Sequence, residues 1–152
     1  MFHGESTWSY LYRKMIPPLV EAGFRCVAPD LMGFGMSDKP SSESEYTLRR
    51  HVELVAGIVE SLNLEGVTAV GQDWGGPGGF RYAIDHQSNV RALAILNTLI
   101  DIHKLPMIFS ALFRNGGFSS FLSRRLDRLR TIALSSGFAR PMAKEVKAMY
   151  KM

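Results

Sequence analysis

Val67-Thr68-Ala69-Val70-Gly71-Gln72-Asp73-Trp74-Gly75-Gly76 is the stretch whose reading decides the fold. Val67 to Val70 make a short apolar run that reads as a buried strand, and Gly75 to His86 reads as a helix with Pro77 in its first turn, where proline is tolerated. Between them the chain must turn sharply, and Gly71 and Gly75 supply the positions without a Cβ that such a turn requires. Asp73 stands at the apex, where a strand-to-helix elbow lifts a nucleophile to the end of a sheet. A serine at that place would attack acyl carbonyls. A carboxylate suits displacement at a saturated carbon, giving an alkyl ester that water must then hydrolyse, with a halide or the oxygen of a strained ring as leaving group. An aspartate before a helix is also a common cap, and this stretch alone fits both descriptions. Gly75 to Gly79 is not a phosphate loop, because the lysine and hydroxyl residue of that motif are absent.

Two further segments bear on the choice. His3-Gly4-Glu5-Ser6-Thr7-Trp8-Ser9-Tyr10-Leu11-Tyr12-Arg13 opens on the His-Gly pair from which an oxyanion hole is built in such folds. The second is Ala28-Pro29-Asp30-Leu31-Met32-Gly33-Phe34-Gly35-Met36-Ser37-Asp38-Lys39-Pro40. With Gln72-Asp73-Trp74-Gly75-Gly76 they resemble the haloalkane dehalogenases of the α/β-hydrolase superfamily, densely from His3 to about Thr98. The resemblance implies an α/β-hydrolase fold, here a partial parallel sheet flanked by helices and followed by the start of a helical cap. Residues 1–99 would belong to the core domain and residues 100–152 to the cap.

The same resemblance implies roles for individual residues. Asp73 would be the nucleophile, and the halide or oxyanion site would be formed by the indole and backbone N–H of Trp74 and the backbone N–H of Glu5. Gly4, Gly71 and Gly75 would support the loop and the elbow. An indole is a donor with no acceptor capacity, and backbone N–H groups aimed at developing negative charge need no reorganisation during reaction. The plainer alternatives are core packing for Trp74 and an ordinary loop acid for Glu5. The implied activity is cleavage of the carbon–halogen bond of an apolar haloalkane through an alkyl-enzyme ester, releasing halide, with a histidine-activated water completing the hydrolysis.

That histidine and its orienting acid are expected outside the chain. Single-domain α/β hydrolases run to roughly 250 residues or more, against 152 here, so the chain reads as truncated at both ends and inactive alone. None of its four histidines reads as the base. His3 reads as structural in its loop, His51 as helix-facing or solvated, His86 as a complement to a helix C-terminus, and His103 as a residue past the strand ending at Asn97. Asn97 occupies the place of the acid in one branch of the family, which fits the other branch, where the acid comes one strand later. Asp101 reads as a loop residue.

Other readings remain open. The only tryptophans are Trp8 and Trp74, whereas many family members draw a second halide donor from the cap. A relative acting on a β-lactone or an epoxide is therefore an alternative, although Tyr150 is the only tyrosine beyond residue 100 to protonate an epoxide oxygen. A different class is a non-catalytic remnant or binding module. It would be a stable soluble species with a cooperative melt, whereas a fragment leaves an open sheet edge and an uncovered apolar face.

Composition sets outer bounds. Hydrophobic residues make up 46% of the chain, as in a packed domain, and no run approaches the roughly 18 apolar residues of a membrane span. No secretory signal is visible, which points to the cytoplasm. Cys26 is the single cysteine and reads as a small core residue, and no Cys or His spacing suggests a metal, so neither metal nor other cofactor is expected. Arg25 to Pro29 reads as a strand and Thr47 to Leu62 as an amphipathic helix with Val52, Val55, Ala56 and Val59 on one face. Arg91 to Thr98 reads as the strand after the elbow helix. This β/α alternation signals a parallel sheet. From about Leu99 the pattern turns helical, and the segment from Ser119 to Leu134 places Arg125 among apolar neighbours, where a structural ion pair is expected. Residues 101–152 hold ten Lys or Arg against three Asp or Glu, and residues 1–100 eight against eleven. The basic half reads as a solvated helix face, with neither nucleic acid nor membrane as partner.

Overall fold

The structure is a computed structural model that describes residues 1–5, 7–98 and 144–149. The chain divides into two compact units, Met1–Ile100 and Asp101–Met152. The expected helix at 119–134, Arg125, His103, Asp101 and Tyr150 lie outside the described residues.

In the first unit a 3-10 helix over Ser9–Lys14 runs into helix α1, Ile16–Glu21. Pro17 and Pro18 fall in its first turn, where a missing N–H leaves no helical hydrogen bond unmade. Helix α2 spans Leu48–Ser61. The sequence places its ends at Thr47 and Leu62, and these two residues are its caps, with Thr47 Oγ1 accepting from Arg50 N at 3.1 Å. Val52, Val55 and Val59, at helical spacing, are buried with Phe2, Ala69 and Tyr82, and Ala56 packs against them.

Strand β1, Val67–Gln72, is followed by helix α3, Gly75–Asp85, and strand β2, Val90–Leu96. The strands pair in parallel from Val67↔Val90 to Gln72↔Leu96, and α3 forms the crossover. On the other edge of β1, Phe2 bridges to Gly71, with Phe2 N donating to Val70 O at 2.6 Å and Gln72 N donating to Phe2 O at 3.1 Å. This βαβ unit with a third chain alongside β1 brings residues 2–5 to the carboxyl end of β1, where the elbow lies. In the second unit, helix α4 spans Lys144–Met149.

Two expectations are corrected. Arg25 to Pro29 is not a strand. Among the described residues, the only main-chain donor it receives is the terminal ammonium of Met1, which bonds Val27 O at 2.8 Å, and a strand exists only through a ladder of such bonds. The strand expected to reach Thr98 ends at Leu96, because Asn97 adopts φ +44° and leaves the extended region. Cys26 is half-buried with a free thiol.

Candidate active site

Asp73 is held in the left-handed region, φ +52°. For a residue with a Cβ this costs on the order of 1–3 kcal/mol and persists only where the surroundings impose it. Here they do. The Asp73 amide donates to Leu96 O at 3.3 Å, its carbonyl accepts from Gly76 N at 3.0 Å, and Thr98 Oγ1 donates to the same carbonyl at 2.5 Å. A Cβ on Gly71 would overlap the Gly75 carbonyl, and one on Gly75 would overlap the carbonyls of Phe2 and His3. These contacts close the elbow tightly enough to aim the side chain past the end of β1.

Glu5 meets that side chain. Its backbone N–H donates to Asp73 Oδ1 at 2.9 Å across 68 residues of sequence. Gly4 makes the approach possible, since a Cβ there would overlap Asp73 Cβ and Oδ1. Trp74 follows as the N-terminal boundary residue of α3 and lines a cavity of about 380 Å³ together with Gly4 and Glu5. The structure thus gathers Asp73, Trp74, Glu5, Gly4, Gly71 and Gly75 at one point. It gives the Glu5 amide to the carboxylate itself. A donor fixed on Oδ1 stabilises negative charge on that oxygen.

His3 is fully buried and shapes this loop. Leu31 N–H donates to Nε2 at 2.8 Å, so Nε2 carries no proton, and Nδ1 then donates to Gly4 O at 2.9 Å. Burial holds its pKa below the ordinary imidazole value, against the opposing pull of the Gly4 carbonyl and of Asp30. Both ring nitrogens are committed, so His3 is a structural residue. His51 bridges Thr47 O (2.8 Å) and Met32 O (3.1 Å), and His86 closes α3 stacked on Tyr82 at 4.5 Å.

Asp30 carries a role that inspection of the sequence left unassigned. Its Oδ1 accepts from Ser9 N and its Oδ2 from Met36 N, each at 2.8 Å, while Ser37 Oγ donates to its carbonyl at 2.6 Å. Burial works to raise its pKa, but the amides of Met36 and Ser9 and the nearby His3 outweigh that and hold the carboxyl below the ordinary range. Asp30 therefore ties the segment after His3 to the glycine-rich loop 33–37. An acid in Pro29-Asp30 ahead of two glycines is a turn signal that could have marked it. Thr98, which holds the carbonyl of Asp73, left no signal in its one-dimensional neighbourhood. Among the described residues, no group of three His, Cys, Asp or Glu could hold a metal ion.

A sequence profile described as the alpha/beta hydrolase fold matches residues 1–143. The chain belongs to that family. Within it, the chain is 53% identical over 97 residues to haloalkane dehalogenase 1 of Mycobacterium tuberculosis, covering 64% of this chain and 32% of the relative. It is 34% identical over 157 residues to a cis-3-alkyl-4-alkyloxetan-2-one decarboxylase of Shewanella oneidensis, covering 99% of this chain and 49% of the relative. The solved haloalkane dehalogenase DpaA of Paraglaciecola agarilytica superposes with a TM-score of 0.75 at 37% identity, covering 97% of this chain and 48% of that one. This α/β-hydrolase chain therefore spans between about a third and a half of the length of such relatives.

Proposed function

We propose that this chain carries the nucleophile half of a hydrolase that cleaves the carbon–halogen bond of haloalkanes. The observation that carries the reading is the Asp73 carboxylate, at the apex of a left-handed elbow with Oδ1 held by the Glu5 amide. Among the described residues Oδ2 takes no hydrogen bond, so Oδ2 is the oxygen that attacks. It forms a C–O bond as the C–X bond breaks, and the halide leaves with the bonding pair. Trp74, which lines the cavity together with Gly4 and Glu5, would donate its indole N–H to the departing halide. The ester is then hydrolysed by a water that a histidine activates, oriented by an acid, both outside these 152 residues. Residues 100–152 would belong to the helical cap domain.

The test is halide release from haloalkanes by the complete enzyme. Asp73→Ala should lower it by on the order of 10⁴-fold or more, because loss of a covalent nucleophile removes the pathway. Unchanged release would end this reading.

A second reading has one observation in its favour, the similarity to an oxetanone decarboxylase over nearly the whole chain. In that case Asp73 would attack a β-lactone. Turnover of a 3,4-dialkyl-oxetan-2-one in place of haloalkanes by the complete enzyme would select it.

A further inference from the structure

The two amides assigned to the halide or oxyanion site, those of Glu5 and Trp74, are held from behind in the same way. The Glu5 N–H belongs to one peptide group with the Gly4 carbonyl, and the Trp74 N–H to one group with the Asp73 carbonyl. A trans peptide is planar, with its C=O and N–H pointing in opposite directions, so whatever fixes the carbonyl fixes the aim of the amide. Both carbonyls are fixed twice. Gly4 O accepts from His3 Nδ1 at 2.9 Å and from Thr7 Oγ1 at 3.2 Å. Asp73 O accepts from Gly76 N at 3.0 Å and from Thr98 Oγ1 at 2.5 Å. The Thr98 contact needs two separate provisions. Asn97, at φ +44°, turns the chain off β2, and Gly76 lacks the Cβ that would overlap Thr98 Oγ1. A carbonyl that accepts hydrogen bonds draws electron density from its own N–H, and linked bonds strengthen one another by roughly 10–30% each. The Glu5 amide already meets Asp73 Oδ1 at 2.9 Å.

We propose that Thr98 and Thr7 are positioning residues for the reaction, each acting through the peptide whose carbonyl it bonds. Thr98 sets the direction and donor strength of the Trp74 amide, and Thr7 those of the Glu5 amide. Neither hydroxyl needs to touch substrate. The inference rests on the reading of Asp73 as nucleophile and of these amides as the donors that meet developing charge, where preorganised N–H groups act most strongly.

The experiment compares Thr98→Val and Thr7→Val, which keep the side-chain shape and remove the hydroxyl, with Thr98→Ser and Thr7→Ser, which keep the hydroxyl, all in the complete enzyme. Removing an oxyanion donor outright costs roughly 10²–10³-fold in kcat. Weakening one from across its peptide should cost less, about tenfold per valine variant, in kcat and kcat/KM alike with KM unchanged, the pattern of an interaction made in the transition state. The serine variants should keep the parent rate. Proton–nitrogen NMR of the same enzymes, labelled only at tryptophan and glutamate, reads the amides without any reaction. Thr98→Val should move the Trp74 amide proton upfield and leave that of Glu5 in place, Thr7→Val should do the reverse, and serine should return each. A merely structural role would lower the melting temperature without that pairing of hydroxyl and amide. Thr7→Val carries the test if Thr98→Val does not fold. Valine variants with the parent kcat, or amide protons that do not follow the hydroxyls, would overturn the proposal. Halide release separates it from the reading beneath it. Amide shifts as described in an enzyme that releases no halide would uphold the effect on the two peptides and remove the nucleophile reading. Release that is lost in Asp73→Ala but undiminished by both valine changes would remove this proposal alone.

Discussion

At the scale of single residues, the site is a matter of which atoms can come close. Asp73 accepts an unfavourable backbone angle, and Gly4 gives up a side chain, so that an amide from the N-terminal loop reaches a carboxylate oxygen at 2.9 Å. Gly4→Ala should therefore displace the Asp73 carboxylate while leaving the fold in place. A shift of about 1 Å at a reacting group costs roughly 10²-fold in rate, so halide release by the complete enzyme should fall by about that factor with an unchanged circular dichroism spectrum. That Asp73, Trp74 and Glu5 would come together was legible in the sequence, through a glycine-flanked turn, a His-Gly loop and the family resemblance that these carry. Asp30 was not, since its purpose appears only when Ser9 and Met36, distant in sequence, supply amides to its two oxygens.

At the scale of elements, local pattern sufficed wherever an element satisfies its own backbone. Helix α2 shows valines at helical spacing and a threonine cap, and both ends were legible to within a residue. Thr47→Ala removes the acceptor of the Arg50 amide and should cost about 1 kcal/mol. A lower urea midpoint at unchanged slope would show it. Strands are another matter, because their existence depends on a neighbour. Val67–Gln72 has Val90–Leu96 on one edge and Phe2 on the other. Arg25 to Pro29 has an apolar, strand-like composition, but among the described residues its backbone meets only the Met1 ammonium, and no sequence pattern in the segment itself could have revealed that.

At the scale of the whole molecule, the Met1 ammonium gives the 152-residue chain taken by itself a pH-dependent stability. Met1 N is buried against Val27 O, and burial lowers its pKa from 8.0 to about 6, only partly opposed by Cys26. The unfolded chain therefore binds more protons between pH 6 and pH 8, and stability should rise with pH across that window by up to roughly 2–3 kcal/mol. His3, also lowered by burial, acts in the same direction. Melting temperatures at pH 6 and pH 8 check this, and a flat profile is expected once the terminus is acetylated apart from the His3 share.

The charge of the chain is similarly uneven, net basic after residue 100 and net acidic before it, and the site described here lies wholly in the acidic part. The central claim is that Asp73 becomes alkylated. The most direct measurement is peptide mass mapping of the 152-residue chain after incubation with a 1-bromoalkane. The expected result is one alkyl group on the peptide containing Asp73, one equivalent of bromide released per chain and no adduct in Asp73→Ala. An unmodified Asp73, or the same adduct yield in the variant, would contradict it.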